Sequence, residues 1–163
     1  MAEGVLKDLG PCQVVFDSVD LGPTAGDVVL KDAVESKPIK EDQEGTTEQD
    51  GVFVGRSCEV IVPLTRSSLA TLASVIPGAT KPSTNLMEVK GVVGKVRSDD
   101  AGILILKPIV DGVAGPNTTW LTLPNASPSP DMEITFNNET QRVYKVAFKA
   151  LPDANNVLYK IGA

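Results

Sequence analysis

Residues 51–64 read Gly51-Val52-Phe53-Val54-Gly55-Arg56-Ser57-Cys58-Glu59-Val60-Ile61-Val62-Pro63-Leu64, and this stretch decides the fold class. In an extended chain, successive side chains point to opposite faces, so Cys58, Val60, Val62 and Leu64 share one face and Ser57, Glu59, Ile61 and Pro63 the other. Wound as a helix, the same four apolar residues would scatter around the cylinder. Working outward, short β-branched segments recur between glycines and prolines, of which there are 14 and 12. Upstream, 12–16 reads as a strand, 18–22 as a turn, and 28–31 as a second strand that can run through Val34 towards Ile39. Pro38 has no backbone N–H, which confines that extension to an edge or a bulge.

Downstream, strands are expected over 86–93, 102–107, 118–123, 132–137, 142–151 and 157–161, with 79–85 a polar loop. Met132, Ile134 and Phe136 alternate, as do Tyr144, Val146 and Phe148, and Asn137-Asn138-Glu139-Thr140 suits the hairpin tip between them. One segment departs from the pattern. Leu69, Leu72, Val75 and Ile76 recur at helical spacing, Thr65 or Ser67 can cap the start, and Pro77-Gly78 stops it. The expected architecture is therefore mainly β: a β-sandwich or flattened barrel of eight to nine strands with one flanking α-helix. A single domain over 1–163 carries a polar loop around 41–50 that joins two long strands and projects from the body.

Composition narrows the function classes. The chain has 163 residues and no histidine, which removes Ser-His-Asp and Cys-His nucleophile systems and the commonest metal ligand. Cys12 and Cys58 are too few for a zinc site or a disulfide framework, and their apolar neighbours suit reduced thiols acting as small hydrophobes. Fifteen basic and 21 acidic residues give a net charge of −6, which does not grip nucleic-acid phosphates or anionic membranes. No apolar run is long enough for a membrane span, and the start lacks the pattern of a secretory signal, so synthesis in the cytoplasm is expected.

Glu41, Asp42, Glu44, Glu48 and Asp50 place five acids and no base within residues 41–50. The spacing does not fit a helix-loop-helix calcium loop, and no aromatic platform accompanies it as a sugar site would require. The glycines do not form a phosphate-binding loop. No catalytic set emerges, no cofactor is expected, and a non-enzymatic role stands first.

Several residues carry a family resemblance. Val15-Phe16-Asp17-Ser18-Val19-Asp20-Leu21-Gly22-Pro23-Thr24-Ala25-Gly26-Asp27-Val28 resembles the opening of phage tail tube (major tail) proteins, and Glu41-Asp42-Gln43-Glu44-Gly45-Thr46-Thr47 is similar to their D-Q-x-G-x-T loop. Gly55-Arg56-Ser57, the strand to Leu64, the short helix ending Val75-Ile76-Pro77-Gly78-Ala79, and the stretch from Phe136 to Asp153 follow in the same order. The likeness covers most of the chain, while 94–117 has no matching pattern. It implies a structural virion protein whose six copies close into a ring. Rings stack into a tube, joined to other tail proteins, and genomic DNA passes through the lumen without specific binding.

On this reading, the 41–50 loop is an inter-subunit contact that reaches the neighbouring ring, formed by Glu41, Asp42, Gln43, Glu44, Gly45, Glu48 and Asp50; the alternative reading of the same acids is a solvated tip. Its expected basic partners are Arg142, Lys145, Lys149 and Lys160 near the C-terminal end. The competing reading is a monomeric β-sandwich module binding a carbohydrate or peptide. Seven aromatic residues in all weigh against the carbohydrate form.

Overall fold

The computed structural model describes residues 11–162, apart from 41, 66, 130–131, 135, 137 and 140–141. Strand accounts for 53% of the described residues and helix for 11%, which makes the protein mainly β with one flanking helix. The strands are β1 (Cys12–Phe16), β2 (Val19–Asp20), β3 (Val29–Lys40), β4 (Glu48–Leu64), β5 (Ala79–Ser83), β6 (Leu86–Val89), β7 (Gly102–Val110), β8 (Val113–Ala114), β9 (Leu121–Ser129), β10 (Tyr144–Ala150) and β11 (Lys160–Ile161); α1 spans Leu69–Val75.

The main sheet runs β2-β1-β7-β9-β10-β4-β3, antiparallel throughout, with β11 added to β9 and β8 to β7. It curls until its ends meet. Leu21 still donates to Val14 O at 3.0 Å, but four residues later Ala25 N donates to Pro63 O at 3.0 Å, and Thr65 N donates to Pro23 O at 3.1 Å. The chain thus leaves the free edge of β1 and joins the edge of β4, with a Thr24–Leu64 bridge at the junction. Closure of this kind removes sheet edges that would otherwise be open to unwanted pairing.

The enclosed core follows from the alternation in β4. Val60, Val62 and Leu64 are fully buried and Cys58 nearly so. Val60, Val62 and Leu64 pack with Val14 and Phe16 of β1, Leu104 and Leu106 of β7, Leu123 of β9, and Val146 and Phe148 of β10. Burial raises the pKa of both the Cys58 and Cys12 thiols above the usual thiol value, so both stay protonated and unreactive near neutral pH.

The helix is shorter than the spacing suggests, and its cap is Ser68 rather than Thr65 or Ser67. The Ser68 hydroxyl accepts from Thr71 N at 3.2 Å. Leu72 and Val75 form its buried stripe, and Ile76 is its C-cap. Gly78 follows at φ +76°, and a Cβ there would stand 2.4 Å from Lys90 O. Only glycine tolerates both demands.

Other expectations need correction. Residues 79–83, expected as loop, form β5 and pair with β6; β6 itself ends at Val89, not Val93. In place of a strand from 118, a 3-10 turn (Asn117–Thr119) precedes β9, which continues to Ser129 through two prolines. Pro124 sits where the β7–β9 register shifts, and Pro128 lies past the end of β7, where β9 is paired with β10 alone. At both places the missing N–H is tolerated. Among the described residues of 132–137, Ile134 makes a bridge to Tyr144 in place of the expected strand, and the expected tip at 137–140 lies partly outside the described residues.

Candidate assembly surface

β3 is paired along its whole length with β4, from Val29–Ile61 to Lys40–Glu48. Their inner ends belong to the barrel, where Leu30 lies opposite Val60 and both touch the core. Beyond Asp32 the strands leave the body, and every residue of β3 from Lys31 on is exposed. The eight residues from Ala33 to Lys40, at about 3.3 Å each, carry the hairpin roughly 26 Å from its root. The expected loop is therefore a two-stranded arm, and of the described residues 42–47 form its tip. β3 is an edge strand here, the position Pro38 demands.

The arm is not polar along its length. Val34, Ile39, Val52, Phe53 and Val54 are 55%, 44%, 53%, 61% and 52% exposed. The register shifts between Glu35 and Ser36, so that Gly55 faces Glu35 while Phe53 faces Ser36 and Val54 is the extra residue. Without this bulge Phe53 and Arg56 would point to opposite faces. With it, both line a cleft of 620 Å³ against Pro152, Val157, Leu158 and Tyr159.

At the root of the arm, Asp32 joins three elements. Its Oδ1 accepts from Arg56 Nε at 2.8 Å across the hairpin, and its Oδ2 accepts from the Tyr159 hydroxyl at 2.8 Å. The Tyr159 hydrogen bond first, and then Arg56, hold the Asp32 carboxyl below the usual carboxylate range. The same hydrogen bond raises the Tyr159 pKa. The turn presenting Tyr159 is itself fixed, because Asp153 Oδ1 accepts from Asn155 N and Val157 N at 2.8 and 2.9 Å. These donors lower the Asp153 pKa.

The residues expected to form the inter-subunit contact separate into two groups. Asp42, Gln43 and Glu44 make a 3-10 turn at the arm tip, followed by Gly45 at φ +69° with open space around it. Glu48 and Asp50, expected in the loop, belong to β4, opposite Lys40 and Ile39. Glu41 lies outside the described residues. The basic group sits on the body. Lys145 and Lys149 lie on the outer face of β10, opposite Pro63 and Glu59, and Lys160 is in β11. The Arg142 guanidinium stands over the Phe136 ring at 4.5 Å. Within one chain, the length of the arm separates the two groups.

Sequence reasoning missed the Asp32–Arg56–Tyr159 cluster. Its members are 24 and 127 residues from Asp32, and only the hairpin register hints at the first pair. Among the described residues, no group of three or more His, Cys, Asp or Glu side chains is placed to hold a metal ion, and no helix is long and apolar enough to cross a membrane. No protein-family model matches the chain, and no curated protein matches it.

Proposed function

We propose that this chain is a structural, non-catalytic subunit that assembles with copies of itself into stacked rings, as in the tube of a phage tail, through which genomic DNA passes to the host cell. The observation that carries the reading is the arm. A two-stranded hairpin is marginal in water by itself, and this one leaves five large apolar side chains exposed along its length. Exposed apolar surface rimmed by charge marks a surface that another protein covers. A second copy covers it by a head-to-tail contact, and such contacts close into rings or continue as filaments. The order of sequence motifs supports the tail-tube form of this assembly, and the acidic chain suits a conduit that does not retain phosphates.

Native mass spectrometry of the purified chain at tens of micromolar, beside negative-stain microscopy, tests the reading. Hexameric multiples together with rings or tubes are expected. A uniform 17 kDa monomer at every concentration overturns it and favours the monomeric binding module.

A further inference from the structure

We infer that the acidic tip of the arm docks on the segment of residues 90–97 of a second copy, rather than on Arg142, Lys145, Lys149 and Lys160. This rests on the self-assembly reading and names the receiving surface. Residues 89–98 read Val89-Lys90-Gly91-Val92-Val93-Gly94-Lys95-Val96-Arg97-Ser98, three bases and no acid, whereas 41–50 hold five acids and no base. The two stretches are complementary in charge, as 140–149, with three bases and no acid, also is to the tip, so the choice between them rests on what surrounds each.

The segment is built to present itself. Lys90 N donates to Gly78 O at 3.1 Å and holds its start against the turn after α1. Its far end is held by Lys95 on Asp100 at 2.6 Å and by the Ser127 hydroxyl donating to Arg97 O at 3.2 Å. Between these points, Val92, Val93 and Val96 are 64%, 101% and 61% exposed. Beneath them lies a cleft of 530 Å³ whose lining includes Ile76, Pro77, Lys90, Lys95, Val96 and Arg97. No arm residue lines it, so the arm of the same chain does not fill it.

Two arguments favour this surface over the C-terminal bases. Arg142 is engaged with Phe136, as Lys95 is with Asp100 in the 90–97 segment, which leaves Lys90 and Arg97 as the bases that segment offers beside its exposed valines. Among the described residues, Lys90 and Arg97 make no ion pair, and neither do Asp42 at the tip and Glu48 at the adjoining start of β4. The valines of the segment also match the apolar flanks of the arm, so the contact would combine a charged rim with an apolar centre. Charge complementarity of this kind sets register and selects the partner.

Charge reversal in the full chain tests the inference. All four positions are exposed, and circular dichroism with thermal melting verifies that each variant folds. D42K/E48K and K90E/R97E should each abolish rings and tubes that the wild type forms, and the chain carrying all four substitutions should restore them. Normal assembly of either pair overturns the inference while leaving the self-assembly reading intact. So does failure of the combined variant to assemble when both pairs alone are assembly-deficient. A wild-type chain that never assembles overturns the reading and this contact together.

Discussion

The rings of Phe16 and Phe148 lie 5.1 Å apart at 44° to one another, although β7 and β9 stand between their strands in the sheet. Two side chains three ladders apart touch only because the sheet curls through the core. Their contact is therefore a direct measure of barrel closure. Tilted aromatic pairs at this spacing add to what area burial supplies.

The first prediction follows. Phe148→Ala leaves a cavity between opposite walls of the barrel and should cost about 3–5 kcal/mol. Urea denaturation of the monomer measures it. Val34→Ala, on the exposed arm, should stay within about 0.5 kcal/mol of wild type in the same assay.

Two adjacent serines at the start of α1 should respond with opposite sign. Ser68→Ala removes the cap on Thr71 N and should cost about 1 kcal/mol. The Ser67 hydroxyl is buried without a hydrogen-bond partner among the described residues, so Ser67→Ala relieves an unsatisfied group and should leave stability equal or higher. Leu72→Ala on the buried stripe should cost about 2–5 kcal/mol. Thermal melts of the three variants decide whether the helix is held as described.

The parts of the fold legible in the sequence are those where burial imposes a period. Cys58, Val60, Val62 and Leu64 alternate because one face of β4 closes the core, and Val146 and Phe148 repeat the pattern on β10. β5 has no such period, since Ala79-Thr80-Lys81-Pro82-Ser83 is held by pairing with β6 and is half-buried only at Ala79. The second half of β9, from Pro124 to Ser129, was hidden by Pro124 and Pro128, which signal a break in a strand with two full neighbours but fit a bulge and a one-sided end. The arm was legible as a projection because its acids and glycines cannot enter a core. Its apolar flanks were not, because Val52 and Phe53 look the same in sequence whether buried or exposed.

The Asp32 cluster makes a pH prediction. The folded state holds the Asp32 carboxyl below its unfolded value of about 3.9 by the Tyr159 hydrogen bond and the Arg56 pair. A depressed carboxylate pKa contributes stability that is complete above the unfolded value and is lost as pH falls through the folded one. The root of the arm should therefore loosen below about pH 4, and Asp153 works in the same direction. Tyr159→Phe removes the larger cause, so the Asp32 titration midpoint, followed by the carboxyl carbon shift in NMR, should move up towards the ordinary range. An unchanged midpoint would show that Tyr159 does not hold the arm root.

The apolar flank of the arm makes the last prediction. Ile39 lies opposite Asp50, and Lys37 opposite Val52, so Ile39 and Val52 are diagonal neighbours on one face of the hairpin. Both are about half exposed in the single chain, and replacing them should leave the folded monomer almost untouched. Ile39→Ser with Val52→Ser should shift its unfolding free energy by no more than about 0.5 kcal/mol per site. In an assembly that covers this face, each side chain would contribute roughly 1 kcal/mol of apolar burial. Losing both should raise the concentration needed for assembly by roughly ten- to a hundredfold. Light scattering against protein concentration reads that threshold, and equilibrium unfolding of the same sample reads monomer stability. A threshold that stays at the wild-type value would place this face in solvent and leave only the charged tip as a contact. A monomer destabilised by several kcal/mol would instead place Ile39 and Val52 in the fold of the single chain, contrary to their exposure.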